Sequence, residues 1–404
     1  MKVVIVGQGY VGLPLAISIC EAGHDVIGFD LNSTIVSNLN SGISHIEDIN
    51  PSLLSKAITT GKYRATTNPA DFAQSDVAII AVPTPLDEKR EPDLKYVISA
   101  SETLGQFLTK RALIINESTS YPGTLRDVIS PTVLKNSSAS LNHLFAISPE
   151  RVDPGNKDWK IANTPRIFAG LTEEASKLTK SFYSGFCSEL IQVSSPEVAE
   201  SAKLFENTFR QVNIALVNEF SHITHALGIS IREVLDAAES KPYGFMRFNP
   251  GLGVGGHCIP VDPSYLSFLA KKINQTADFV DLANSVNLMQ PFRIAERIKT
   301  ENGGSLAGKR IVLIGMSYKP NVADIRESPS IRLIELLRGY GASVVWNDLH
   351  LSSWNKEKST SLKDDMFDIA ILAIFHRETD LIEVKNCANY LFDCTGLIEG
   401  ASQL

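Results

Sequence analysis

The sequence predicts an α/β protein in which two Rossmann-like parallel-sheet domains flank a central helical domain with one long connecting helix. Three observations predict it. Lys2-Val-Val-Ile-Val-Gly7 and Arg310-Ile-Val-Leu-Ile-Gly315 are matching β-branched runs that end in glycine, and such runs suit buried parallel strands better than helices. After each, short apolar runs alternate with helical patterns, as in a doubly wound sheet. Between the two halves, Pro196 to Ala226 holds no Gly or Pro after its first residue.

In the first half, strands are expected at His24–Asp30, Val77–Val82, Ala112–Glu117 and Leu144–Ile147, with a helix over Leu13 to Glu21. In the middle, Val198, Ala202, Phe205, Phe209, Val212 and Leu216 recur at three- and four-residue steps. That spacing describes an amphipathic helix of roughly 40 Å. A helix so long overhangs an ordinary domain, so it is expected to bridge the two lobes and to pack against a second subunit as a homodimer. Asn302-Gly-Gly-Ser305 reads as a linker. The last half then offers strands at Ser343–Asp348, Ile369–Ile374 and Tyr390–Asp393. The expected boundaries are 1–195 for a dinucleotide-binding domain, 196–300 for the helical domain and 301–404 for the final α/β domain.

Bulk properties narrow the function. The chain has 404 residues, 44% of them hydrophobic and 21% charged, the balance of a globular protein. Its 38 basic and 45 acidic residues give a net charge of −7, which disfavours nucleic acid or an anionic membrane as partner. Cys20, Cys187, Cys258, Cys387 and Cys394 are scattered without paired spacing. That is the usage of a reducing cytoplasm rather than of a disulfide framework, and no metal site is expected. No apolar run approaches the ~20 residues of a membrane span, and the opening run is a strand rather than a leader. A soluble cytoplasmic protein is expected.

Gly7-Gln-Gly9-Tyr10-Val11-Gly12 follows the first strand directly and opens a helical pattern. In that setting Gly7 makes the tight turn and Gly9 lets the backbone approach a pyrophosphate. Gly12 lets helix and strand pack closely, and the helix N-terminus attracts the anion. Asp30 ends the next strand, where a carboxylate accepts hydrogen bonds from the adenosine ribose and repels a 2′-phosphate. No Arg follows it in Leu31-Asn-Ser-Thr34, so NAD is favoured over NADP. Val82-Pro83-Thr84-Pro ends a later strand and is expected beneath the adenine or nicotinamide ribose, the alternative being a proline-stiffened loop.

Gly251-Leu-Gly253-Val-Gly255-Gly256-His-Cys258-Ile-Pro-Val-Asp262 sets one thiol in a bed of glycines and follows it with a carboxylate. A thiol so placed can attack a carbonyl carbon once its pKa is lowered. Lys203 and Asn207 lie four residues apart, one turn from each other on one face of the long helix.

These pieces, with Glu117-Ser-Thr119-Ser-Tyr-Pro-Gly-Thr124 and Ser148-Pro-Glu150-Arg151, occur in an order that resembles the nucleotide-sugar 6-dehydrogenases, the UDP-glucose/GDP-mannose dehydrogenase family. The resemblance runs from residue 1 to about 395 and implies oxidation of a sugar C6 alcohol to a carboxylate, four electrons passing to two NAD. It implies that Cys258 forms a thiohemiacetal and then a thioester. Lys203 and Asn207 would stabilise the oxyanion, and Asp262 and Thr119 would hold water. Glu150 would serve as the acid–base carboxylate of hydrolysis, while Lys203, Asp262 and Glu150 remain open as acceptors of the first proton. Glu117 and Thr119 would also border the cofactor.

The resemblance places the substrate on Glu150, Arg151, Lys203, Asn207, Arg247, Phe248, Asn249, Gly253, Gly255, Gly256, Lys319 and Arg326. Phe248 and Asn249 would meet a uracil and the loop amides a diphosphate. One departure stands out: members often carry an Arg shortly after the final strand's Asp, and here the run is Asp393-Cys-Thr395-Gly396. The segments Lys241–Gly251 and Glu206–Glu219 resemble the bacterial N-acetylhexosamine branch. UDP-N-acetylglucosamine or a close epimer is therefore the expected substrate, with UDP-glucose the alternative. A two-electron 3-hydroxyacid dehydrogenase and a non-enzymatic NAD-binding scaffold are the other readings.

Overall fold

Strand β1 (Lys2–Val6) is buried from its second residue on, and an eight-stranded sheet forms around it in this computed structural model. The residues described are 1–46, 49–151, 156, 158–256, 258–363 and 366–404. They divide into two units, Met1–Glu206 and Asn207–Leu404.

The first unit adds β2 (Asp25–Phe29), β3 (Tyr63–Thr66), β4 (Val77–Ile80), β5 (Leu113–Asn116), β6 (Leu144–Ile147), β7 (Arg166–Gly170) and β8 (Leu190–Gln192), in the order β3-β2-β1-β4-β5-β6-β7-β8. Val3 and Ile5 pack on one face with Leu15 and Ile19, and Val4 and Val6 on the other with Leu104 and Ile114. Burial on both faces is why the strand reads as unbroken apolar residues. The four expected strands are present, three of them trimmed at their ends. β3, β7 and β8 lie outside the expectation: each is short, and β3 and β7 place an arginine among their apolar residues. Every pairing is parallel except β6 with β7.

The long helix spans Pro196–Ala226, as its spacing predicts. Phe205 (67% exposed) and Leu216 (62%) of its apolar stripe point out. The buried positions mix Ala199, Leu204, Ala215 and Val217 with the polar Glu200, Thr208, Gln211 and Asn218.

The second unit holds β9 (Arg310–Ile314), β10 (Ser343–Asn347), the hairpin β11 (Ser353–Trp354) and β12 (Glu357–Lys358), then β13 (Phe367–Leu372), β14 (Ala388–Asp393) and β15 (Ser402–Gln403). Its five-stranded parallel sheet runs β10-β9-β13-β14-β15.

The two sheets share one construction. Gly7 N donates to Phe29 O and Gly315 N to Asn347 O, both at 2.8 Å. A Cβ on either glycine would stand 2.3 Å from a carbonyl oxygen, that of Ala81 or of Ile374. The next amide meets an aspartate in each: Gln8 N to Asp30 Oδ2 at 2.9 Å, Met316 N to Asp348 Oδ2 at 2.8 Å. Beyond that point the two lobes diverge. After Gly7 a helix begins at Gly12, whereas after Gly315 a loop runs on to the helix Pro329–Gly339.

Asp348 is buried and bonded to His376 Nε2 at 3.1 Å. His376 Nδ1 accepts the Asn321 amide at 2.9 Å, so the ring hydrogen sits on Nε2 and points at the carboxylate. This relay closes the second lobe's equivalent of a ribose-binding carboxylate and ties down the loop carrying Lys319. Burial opposes ionisation of Asp348, yet His376 and the backbone amides outweigh it and hold the carboxyl at about 2. The unfolded value is ~3.9, so this stabilisation is present above pH ~4 and lost as pH falls toward ~2. Asp348→Asn is expected to lower Tm at pH 7 by roughly 4–8 °C, as ~2 kcal/mol does in a domain of this size. The gap from the parent protein should narrow at pH ~3. Calorimetry at both pH values checks this, and a gap that stays constant refutes it.

Candidate active site

At the β1/β4 junction the strand order reverses, and in an open α/β sheet ligands bind beyond the strand carboxyl ends at such a point. Gly7–Gly12 leaves β1, Asp30 leaves β2, Val82–Thr84 leaves β4, Glu117–Thr119 leaves β5 and Glu150 follows β6, all at that edge. The glycines divide the work. Gly7 adopts φ +95°. A Cβ on Gly12 would stand 1.9 Å from Gly7 O, whereas one on Gly9 would meet nothing within 4 Å. Gly9 is thus the open approach. The helix Gly12–Glu21 has no side-chain cap; Leu13 N is bonded to Gly9 O and Pro14 has no N–H, so the Gly12 amide and the helix dipole are what its start offers an anion. Asp30 receives Gln8 N and Asn32 N at 2.9 Å each. Gln8 carries no motif signal of its own; it fills the space against Gly28 and accepts the Tyr63 hydroxyl at 2.7 Å.

Ser118 Oγ clasps both Val82 N and Val82 O at 2.9 Å, joining the loop of Pro83 and Thr84 to that of Thr119. Glu200, on the long helix one turn before Lys203, is buried and accepts Gly123 N (2.7 Å), Leu125 N (3.1 Å) and Ser120 Oγ (3.1 Å). The Glu117–Thr124 loop is thereby fixed to the helix that presents Lys203. Motif reading passes over Glu200, whose one signal is an acid on a helix face otherwise fit for burial. Glu117 departs from expectation: its side chain turns inward to Arg166 and Tyr183 rather than to a cofactor. Arg151 is occupied by Glu206 (2.5 Å) and Pro165 O (2.9 Å).

In the second unit the helix Asp262–Lys272 begins right after the cysteine loop, with Pro263 in its first turn. Asp262 N donates to Cys258 O at 2.8 Å, so thiol and carboxylate sit one helical turn apart. Asp262 is buried, and its Oδ2 accepts Asn207 Nδ2. Cys258 and Asp262 are thus joined through the backbone, and Asp262 to Asn207 through its side chain. Buried amides of two helices cradle the loop: Gly251 N donates to Asn218 Oδ1 at 2.9 Å and Gly251 O accepts Gln290 Nε2 at 3.2 Å. Asn218 Nδ2 in turn reaches Asn287 Oδ1 at 3.2 Å. A Cβ on Gly253 would stand 2.7 Å from Asn287 O, and one on Gly256 2.8 Å from the Tyr318 ring. Gly256 N also donates to Arg326 O at 2.9 Å. The loops of Cys258 and Lys319 therefore support each other. The amide ladder escapes sequence reading because Asn and Gln at helical spacing look like a solvated face.

Three expected substrate contacts are otherwise engaged. Arg247 pairs with Asp236 (2.5 Å) and Glu239 (2.9 Å) and bonds Asn249 Oδ1 at 3.1 Å. Phe248 is half-buried and packs edge-on against Phe209 at 5.9 Å and onto Ile231 and Leu235. Arg326 pairs with Asp324 at 2.5 Å. Where an arginine would follow the final strand's aspartate, Thr395 N and Oγ1 both bond Asp393 Oδ1 at 2.7 Å. A guanidinium does reach this turn from elsewhere. Arg232 Nη2 donates to Cys394 O at 3.3 Å, lying so close over Gly396 that a Cβ there would stand 1.5 Å from its Nε. Among the described residues no helix is long and apolar enough to cross a membrane, and no cluster of metal-ligating side chains occurs.

Comparison with known proteins places this geometry. Residues 1–187 match the NAD binding domain of the UDP-glucose/GDP-mannose dehydrogenase family, 197–288 its central domain and 312–399 its UDP binding domain. The chain is 33% identical to Protein CapL of Staphylococcus aureus, over 98% of this chain and 96% of that protein. It is 34% identical to the UDP-N-acetyl-D-glucosamine 6-dehydrogenase of Pseudomonas aeruginosa, over 96% and 93%. The solved UDP-D-ManNAc dehydrogenase of Pyrococcus horikoshii superposes with a TM-score of 0.90 at 29% identity, covering 100% of this chain and 98% of that one.

Cys20, Cys187, Cys387 and Cys394 are buried and Cys258 alone is partly exposed, all five outside disulfides. Burial also raises the Cys20 thiol to about 12 and the Cys387 thiol to about 11. A thiol reagent should therefore titrate about one equivalent in the native protein and none in Cys258→Ser. Two or more fast equivalents would contradict this packing.

Proposed function

The chain belongs to the UDP-glucose/GDP-mannose dehydrogenase family, and from that premise we propose that it oxidises C6 of UDP-N-acetylglucosamine, or of a close epimer, to the uronic acid. The observation that carries the reading is the thiol of Cys258 one helical turn from a buried Asp262 bonded to Asn207. The chain is an NAD-dependent enzyme, and its own geometry fits the cofactor. Open ground at Gly9, the uncapped helix amide at Gly12 and a carboxylate at Asp30 would hold pyrophosphate and ribose. Pro83, Thr84 and Thr119 would border the nicotinamide side. When bound, NAD supplies the hydride acceptor for both oxidations.

The residues of the chain do the remainder. Lys203, Asp262 or Glu150 takes the proton of the C6 hydroxyl as the alcohol becomes an aldehyde. The Cys258 thiolate then adds to that carbon, and Lys203 with Asn207 stabilises the oxygen anion. After the second oxidation the sugar is a thioester of Cys258. Thr119 and Asp262 hold a water molecule against it, and Glu150 accepts the proton as water attacks. Lys319 and the loop amides of Gly253 and Gly255 would receive the diphosphate.

The N-acetylglucosamine reading draws on the Pseudomonas aeruginosa relative and on the Lys241–Gly251 segment. The N-acetylmannosamine epimer is the second reading, on the strength of the Pyrococcus horikoshii structure. We further propose a cytoplasmic homodimer formed through the helices. Phe209, Leu216 and Ile223 on the long helix and Phe279, Leu282 and Met289 on Asp278–Glu301 are exposed, and apolar area of that extent marks an interface.

Two NADH per sugar are expected, against one for a 3-hydroxyacid dehydrogenase and none for a scaffold. Cys258→Ser should lower turnover by at least ~10³-fold; a variant with unchanged turnover removes the covalent mechanism. A panel of UDP-N-acetylglucosamine, UDP-N-acetylmannosamine and UDP-glucose ranked by kcat/KM decides the sugar, and preference for UDP-glucose overturns the N-acetyl assignment. Light scattering at micromolar concentration should give about twice the 44.1 kDa chain mass, falling to one mass in Leu216→Asp.

A further inference from the structure

Behind Glu150 lies a charged group that no motif flagged. Arg166, the first residue of β7, is 5% exposed, and its guanidinium sits between two carboxylates. Nη1 is 2.9 Å from Glu117 Oε1 and Nη2 is 3.3 Å from Glu150 Oε2. Ser148 Oγ lies 3.2 Å from Nη1, the guanidinium stands 4.7 Å over the Tyr183 ring, and the Tyr183 hydroxyl donates to the same Glu117 oxygen. The other Glu150 oxygen accepts the Arg151 amide at 2.8 Å.

The one antiparallel pairing of the sheet accounts for this meeting. Ile147 of β6 stands opposite Ala169 of β7, and the same register continued beyond the strand ends sets residue 166 opposite residue 150. A parallel β7 would have begun at the far edge, away from the site. As packing, the cluster is a poor choice, since apolar residues of like volume often hold a core as well or better than buried ions. A planar fork that fixes a carboxylate is what arginine does specifically. Burial pushes the Glu117 carboxyl up to about 7 against the pull of the Arg166 guanidinium.

Resting on the reading of Glu150 as the hydrolytic carboxylate, with the first proton taken by Lys203 or Asp262, we propose that Arg166 is its positioning residue. Anchored on Glu117 and Tyr183, the guanidinium aims the Glu150 carboxylate at the water whose proton it receives. In the step it serves, the water oxygen bonds to the thioester carbon and one water proton passes to Glu150. The C–S bond then breaks to give the uronic acid and the Cys258 thiolate. No electrons are exchanged.

The test uses the full-length enzyme with NAD and its best UDP-sugar. Arg166→Lys keeps a cation and loses the fork; Glu150→Gln is the reference. In Arg166→Lys the first two NADH per site should form within about threefold of the parent rate, which also shows that the protein has folded. Steady-state kcat should then fall roughly 10- to 100-fold, within the range of lost acid–base catalysis. KM for the sugar should fall with it, leaving kcat/KM nearly unchanged, and acid-quenched protein should carry the sugar adduct on Cys258 by mass. A merely structural lesion would slow the first two NADH as well. Normal turnover without adduct in Arg166→Lys, while Glu150→Gln accumulates adduct, overturns the inference alone. Absence of adduct in Glu150→Gln removes the hydrolytic reading of Glu150, and the role of Arg166 with it.

Discussion

The constraint on which this structure depends is the close approach of backbone to backbone at the end of each lobe's first strand. At Gly7 and at Gly315 a carbonyl oxygen of a neighbouring strand stands where a Cβ would be. Any side chain there would push β1 from β4, or β9 from β13. The same turn hands the next amide to an aspartate on the adjoining strand. One lobe leaves that aspartate partly open, and the other buries it against His376. A single strand–turn design thus yields a dinucleotide edge in one sheet and a rigid loop base in the other.

From these edges the reactive side chains are held by polar groups that never need to meet a substrate. Glu200 collects two backbone amides and a hydroxyl, fixing the Thr119 loop to the helix of Lys203. Asn218, Asn287 and Gln290 do the same for the glycines before Cys258. Buried polar groups in such number are costly unless each is matched. Their satisfaction fixes the loops in a way an apolar seam would not, since dispersion is non-directional.

Much of this is legible in the chain because it is local. The glycine spacing after β1, the carboxylate ending β2 and the unbroken helix from Pro196 follow from backbone sterics and periodicity. The cysteine loop is legible for the same reason, as only glycines permit so tight an approach. Periodicity finds the apolar stripe of the long helix but not which of its residues the neighbouring elements cover. In the fold Leu204 and Val217 are buried together with small and amide-bearing residues, while Phe205 and Leu216 face out. Proximity to the glycines suggests Arg247 and Phe248 as ligand contacts, but Asp236, Glu239 and Phe209 claim them first.

The sequence by itself determined the class of fold, the cofactor edge and the residues of the thiol loop, because each is written within a few positions of the chain. Only the tertiary structure decided the partners that stand far apart in sequence: Arg166 with Glu117 and Glu150, Glu200 with Gly123, Arg232 with Gly396, His376 with Asp348. Which distant charges meet depends on strand order, direction and register. The reversal of β7, which β8 follows, moves a guanidinium from one edge of the sheet to the other.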